Sequence, residues 1–105
     1  MIKYQFTKEN NHIQEIKVTG HANYAEHGED IVCAAVSTAI IVTANAIEVL
    51  NLKDKVQLDL DEGYFKLEVN QVDEIVEGLL TNLEYTLNDL EITYSQYIKN
   101  QKKEG

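Results

Sequence analysis

The sequence predicts an α+β fold, a two-layer α/β sandwich in which an antiparallel four-stranded sheet carries two helices on one face, in the order ββαββα. Two pairs of short alternating segments are each joined by turn chemistry, which reads as two hairpins. Two longer segments have helical length, one almost free of charge and one with apolar residues three or four apart. Each strand has one apolar and one polar face, so the simplest packing covers one side of the sheet and leaves the other to solvent.

The elements follow in order along the chain. Ile2, Tyr4 and Phe6 alternate with Lys3, Gln5 and Thr7, a half-buried strand. Residues 9–12, Glu-Asn-Asn-His, are turn chemistry and lead into a second run with Ile16 and Val18 inward and Lys17 and Thr19 outward. Residues 31–50 carry no charge until Glu48 and are rich in alanine, which predicts a helix buried over most of its surface. Val56, Leu58 and Leu60 then alternate with Gln57, Asp59 and Asp61, and Asp61-Glu62-Gly63 turns the chain into Phe65, Leu67 and Val69. Residues 72–98 form an amphipathic helix, with Val72, Val76, Leu79, Leu83, Leu87, Leu90, Tyr94 and Tyr97 on one stripe and acids off it. That stripe faces its own sheet, or else forms a seam with a second copy.

A chain of 105 residues suits one domain, residues 1–105, with one core. Hydrophobic residues at 44% and charged residues at 26% are those of a folded domain. No window reaches the ~18–20 uninterrupted apolar residues of a membrane span. The nearest candidate, residues 31–47, is interrupted by Ser37, Thr38, Thr43 and Asn45. The N-terminus lacks a signal-peptide core, and a single cysteine allows no internal disulfide, so a reducing cytoplasm is the expected setting. The net charge of −9 argues against nucleic acid, since the basic residues cluster only at Lys99, Lys102 and Lys103. An acidic surface suits a basic partner, or serves solubility alone.

The chemistry concentrates between Gly20 and Ser37. Asp30 is a candidate N-cap for the first helix, since a short carboxylate can accept the free N–H groups of the first turn. Cys33 then falls in that turn, where the helix macrodipole favours thiolate, the nucleophilic form. Residues 30, 33 and 37 follow i, i+3, i+7 spacing, so Asp30, Cys33 and Ser37 share one face of an otherwise apolar helix. His21 is the candidate general base, and the backbone N–H groups at the helix start are candidate oxyanion donors. The intervening loop, residues 22–29 with Gly28, has the polar composition of a lid. A plain structural reading stands beside this one. Cys33 would be a core thiol, Gly20 a strand-ending glycine, His21 a loop histidine, Asp30 a cap only, and Ser37 bonded to a carbonyl one turn back. His21, His27, Asp30 and Cys33 are all zinc-ligand types, yet no paired short-spacing signature such as CxxC or HxxxH accompanies them, and neither metal nor cofactor is expected.

The same residues carry a family resemblance. Gly20-His21, a short variable loop, Gly28-Glu29-Asp30-Ile31-Val32-Cys33-Ala34 and then Ser37 match at every position the signature of the ribosomal-processing cysteine protease family, Prp. Length, acidity and element order extend the resemblance over essentially the whole chain. It implies a cytoplasmic, homodimeric cysteine endopeptidase with Cys33 as nucleophile and His21 as base. Asp30, Ser37, Gly20 and Gly28 would support them. It further implies a substrate, the precursor of ribosomal protein twenty-seven of the large subunit, a basic protein whose N-terminal extension is removed after a pair of aromatic residues. The alternative is a non-catalytic acidic module that binds a basic ribosomal partner without cutting it.

Overall fold

The computed structural model describes residues 1–22 and 30–101. Strands β1 (Ile2–Glu9) and β2 (His12–Thr19) form the first hairpin. Its two-residue turn holds Asn10 and Asn11 at φ of 52° and 65°, the left-handed pair that lets a tight turn follow the strand twist and that asparagine tolerates. Between the pairs Thr7↔Glu15 and Lys8↔Ile13 the register shifts, which makes Gln14 the extra residue of a bulge. The bulge turns both Ile13 and Ile16 into the core despite their odd spacing. The Ile13 N–H donates to the Glu77 carboxylate at 3.1 Å, an acceptor supplied from outside the ladder.

Helix α1 (Ile31–Val49) starts on Asp30 and ends in a Schellman motif. Asn51 adopts φ 60°, and the Asn51 and Leu52 N–H groups donate to Glu48 and Ile47 carbonyls. A single 3-10 turn, Lys53–Lys55, then feeds the second hairpin, β3 (Val56–Asp61) and β4 (Tyr64–Val69). Helix α2 (Glu74–Thr93) is capped by Asp73, whose side chain accepts from Ile75 and Val76 N–H. Val76, Leu80, Leu83 and Leu87 lie buried in the core, so the main stripe of α2 faces its own sheet.

The sheet departs from the expected four antiparallel strands. It has five, in the order β3-β4-β2-β1-β5, and the fifth, β5 (Ile98–Asn100), runs parallel to β1, so the sheet is mixed and the element order is ββαββαβ. Residues 94–98, expected to continue the helix, turn out of it at Tyr94. The reason is burial: Ile98 pairs with Ile2 and disappears completely into the core, an edge position that a continued helix could not fill. The junction is fastened from α2. The Tyr4 hydroxyl reaches Asn88 Oδ1 at 2.6 Å and Glu91 Oε1 at 2.7 Å, and Glu91 Oε2 accepts the Asn100 N–H at 3.0 Å. Tyr4 also packs edge-on against Phe6.

Helix α1 is the second departure. Only Val32, Val36, Ile40, Thr43 and Ile47 are buried; the rest of this nearly uncharged helix is partly or fully open. In length and hydropathy it would also suffice for a membrane span, contrary to the expectation from its interrupting polar residues. Its buried stripe nevertheless belongs to the core shared with the sheet and α2, where the Thr43 hydroxyl donates to the Ala39 carbonyl.

Candidate active site

Two glycines shape the ground on which the site stands. Gly20 ends β2 at φ +94°, and a Cβ there would run into the Met1 carbonyl oxygen, so the position excludes other residues on both counts. Its N–H donates to the Gly63 carbonyl at 2.9 Å, which ties the end of β2 to the tip of the β3–β4 hairpin. Gly63 itself sits at φ +67°, and a Cβ on it would lie 2.8 Å from His21 Nε2. The hairpin tip is thus a bare wall against the imidazole. His21 is exposed immediately beyond Gly20, whereas Ala22 turns back into the core.

The other side of the cleft is the start of α1. Asp30 adopts an extended conformation, and its Oδ1 accepts both the Val32 and the Cys33 N–H at 2.9 Å. The Ala34 N–H donates to the Asp30 carbonyl at 3.1 Å. Asp30 is therefore the N-cap, as its type and position predict. The same bonds correct the expectation about oxyanion donors: the N–H groups of Val32, Cys33 and Ala34 are all engaged by Asp30 and are not free to receive substrate charge.

Cys33 is half-buried, packs against the core, and has the Ala22 N–H directed at its Sγ at 3.2 Å. The residue after His21 thus makes direct contact with the thiol. His21, Asp30, Cys33 and Ser37 line one cleft of about 570 Å³, with Leu60 and Glu62 opposite. Five of the expected site residues meet there, Gly20 among them, and the polar stripe on α1 is one of its walls. Gly28 and His27 fall outside the described residues, as does the loop expected to act as a lid apart from Ala22. Among the described residues, no three His, Cys, Asp or Glu side chains gather as a metal site would require.

Gly63, the Ala22 amide and Leu60 are contributors that the sequence did not single out. The glycine of the Asp-Glu-Gly turn signalled a hairpin, but no local pattern says what the hairpin tip touches.

A half-buried thiol under a backbone amide, one turn into a capped helix and in a cleft with a histidine, is an arrangement for nucleophilic chemistry. The family model of the cysteine protease Prp matches residues 1–99. The chain belongs to the Prp family. The ribosomal processing cysteine protease Prp of Bacillus subtilis (strain 168) is 34% identical over 82 residues, covering 69% of this chain and 73% of the relative. The essential ribosomal processing protease Prp of S. aureus, solved with a covalently linked product peptide, superposes with a TM-score of 0.88 at 26% identity, over 98% of this chain and all of the other. The S. aureus protease in complex with a substrate peptide superposes with a TM-score of 0.82, again at 26% identity and the same coverage. As a Prp the chain is a cysteine protease, of the class named for ribosomal processing. Its fold, α+β with two helices and a five-stranded mixed sheet, is that of the S. aureus structures.

Proposed function

We propose that this Prp removes the N-terminal extension from the precursor of ribosomal protein twenty-seven of the large subunit, cutting after a pair of aromatic residues. Cys33 is the nucleophile and His21 the base. The observation that carries the reading is the cleft itself, where Sγ lies at the surface of the core, 3.2 Å from the Ala22 amide, in one cavity with His21.

The imidazole takes the proton from Sγ as sulfur attacks the scissile carbonyl carbon. The S–C bond forms, the C–N bond breaks, and the imidazolium returns its proton to the departing amine. A thioester remains. Water then attacks it, giving its proton to the same imidazole, and the carboxylic product leaves as the thiol is restored. With the Val32, Cys33 and Ala34 amides held by Asp30, the Ala22 N–H beside Sγ is a donor placed to accompany the charge from sulfur towards the carbonyl oxygen. Asp30, Ser37, Gly20 and Gly28 support the site, the first through the helix start and the third through the end of β2.

The chain acts in this reading as one protease domain in the cytoplasm, where ribosomal proteins are made, and as a homodimer. Support for the dimer comes from the outer stripe of α1, where Val42 and Val49 are 61% and 77% exposed on a face without charge.

The test is mass spectrometry of a peptide spanning the extension junction after incubation with wild type, Cys33→Ala or His21→Ala. A single cut after the aromatic pair by wild type, lost in both folded variants, is expected. An intact full-length precursor after incubation with folded wild type would refute the substrate, and equal cutting by Cys33→Ala would refute the nucleophile.

A further inference from the structure

Neither helix contains a lysine or an arginine, while α2 carries Glu74, Glu77, Glu84, Asp89 and Glu91. The open face of the sheet is built differently. Lys3, Lys17, Lys66 and Lys99 are scattered along the chain, where a net charge of −9 hides any site for a polyanion. Strand register brings them together. Lys3 pairs with Lys99 across β1 and β5, and Lys17 with Lys66 across β2 and β4. Lys3 is also the diagonal neighbour of Lys17, two residues along from its partner Gln5. The four alternate with buried Ile2, Val18, Phe65 and Ile98, so all of them stand on the face away from the helices. Four of the nine basic residues thus form one band across β4, β2, β1 and β5. Side-chain bases lie ~5 Å apart within each pair and ~7–8 Å apart along the diagonal.

Like charges directly opposite one another weaken a sheet, and this chain has twice as many acids as bases with which to avoid them. Lys66 is relieved by Glu68 at 2.9 Å, and Lys17 lies over the Tyr64 ring at 5.9 Å. Glu15 and Glu68 in the next row offset these two lysines in part. Lys3 has no such relief: its other neighbour is Thr19, and among the described residues neither it nor Lys99 forms an ion pair. The remaining acids of the face keep to its margins, Asp59 and Asp61 on the outer strand β3 and Glu9 at the β1–β2 turn. The acids of the helices are remote as well. The molecule measures 38 × 32 × 20 Å, and its two layers stack across the short dimension. Outward helix carboxylates therefore stand roughly two screening lengths from the open face at physiological salt.

An occupant must carry repeated negative charge across several strands. A second copy of the same face is excluded, because lysine bands would meet lysine bands. An acidic peptide matches the charge but leaves the half-buried Tyr64 ring without a partner. A nucleic acid strand matches both, with phosphates for the lysines and a base for the ring.

We propose that the open face of the sheet is an RNA-docking surface, on which Lys3, Lys17, Lys66 and Lys99 take the phosphates of a single strand. Thr19 and Tyr64 on this face adjoin Gly20 and Gly63, so the docked strand reaches the end of the sheet at which the cleft opens, while the cleft itself stays free on the other side. A protease held this way meets a precursor on the same RNA at a raised effective concentration. The docking adds a partner to the protease reading and does not depend on cleavage.

The experiment titrates the full chain into a fluorescein-labelled single-stranded RNA of about 20 nucleotides and follows anisotropy across a salt series. Four phosphate contacts predict a log–log slope of about −3 against salt, with Kd between ~1 and ~100 µM at physiological salt. A protein carrying Lys3→Gln, Lys17→Gln and Lys99→Gln together should bind at least about tenfold more weakly, with a slope of about −1. Lys53→Gln with Lys55→Gln, on the 3-10 turn, should change neither. Lys99→Glu separates docking from folding. It sets opposite charges side by side with Lys3, so its thermal melt should hold or rise while its RNA affinity falls. Circular dichroism melts of every variant establish that it is folded. Equal binding by wild type and the triple variant, an equal loss in the Lys53 and Lys55 control, or a slope near zero would overturn the proposal. So would tighter binding to polyglutamate or to phosphatidylserine vesicles, which would give the face to an acidic protein or to a membrane. Because binding is read without a substrate, loss of RNA docking would leave the proposed cleavage standing, and an uncut precursor would leave the docking standing.

Discussion

His21 has the hairpin tip as its wall, and the wall is open only because residue 63 has no Cβ: one placed there would lie 2.8 Å from Nε2. Backbone and packing make separate demands at this position, and two substitutions separate them. Gly63→Ala strains a backbone at φ +67° by about 1 kcal/mol and also displaces the imidazole. Gly63→Asn tolerates the left-handed backbone better but carries the same Cβ. If the glycine positions the imidazole for catalysis, both variants lose kcat on the order of tenfold, while asparagine loses less stability in urea melts. If only the backbone matters, Gly63→Asn keeps kcat near wild type. Cys33, His21, Asp30 and Ser37 were legible as a group because each is a chemically distinctive residue at a motif position. Gly63 was not, because its role depends on a contact between two hairpins distant in sequence. The occupied amides of Val32, Cys33 and Ala34 escaped for a related reason. A capping aspartate predicts accepted N–H groups, and the same capping occupies the Val32 and Cys33 amides that a bare helix start would leave open.

Among the elements, the hairpins were legible from alternation because one face of each strand must be apolar. β5 was not: it has three residues, Tyr94, Tyr97 and Ile98 also fit helical spacing, and its partner β1 lies at the other end of the chain. What holds it there is polar as well as apolar. Burial first, and then the hydrogen bond and negative charge of Glu91, hold the Tyr4 hydroxyl well above its ordinary pKa of 10.0. Below about pH 10 the phenol is protonated in both folded and unfolded chains, so its contribution to stability is fully present. As pH rises further the unfolded chain gives up the proton while the folded chain keeps it, and that contribution is lost. Tyr4→Phe should therefore cost about 1–2 kcal/mol at neutral pH, and the gap to wild type should close as unfolding is measured above pH 10. A gap independent of pH would mean that the hydroxyl meets no such environment. Helix α1 shows the converse limit of sequence reading: absence of charge suggested burial, but an uncharged helix face can equally be reserved for something that docks.

At the scale of the whole molecule, 18 acids against 9 lysines and arginines leave a charge of −9, and the distribution around the cleft gives that number a direction. Asp59, Asp61 and Glu62 lie on the hairpin whose tip backs His21, and Asp30 stands across from it. A basic chain approaching this end of the molecule is drawn in before any contact forms, and salt weakens that attraction once the screening length falls to ~8–10 Å. Such steering acts on encounter and leaves the chemical step untouched. For a basic precursor, kcat/KM should therefore fall severalfold as ionic strength rises from about 0.02 to about 0.3 M, with kcat unchanged. A peptide with the same apolar residues but no net charge should show a flat profile. Stopped-time assays of both substrates across one salt series make the comparison. Parallel slopes would assign the salt effect to the protein itself, and two flat profiles would reduce the acidic excess to a matter of solubility. A slope for the basic substrate alone that shrinks when Asp59 and Asp61 are changed to asparagine would locate the attraction at the outer strand β3.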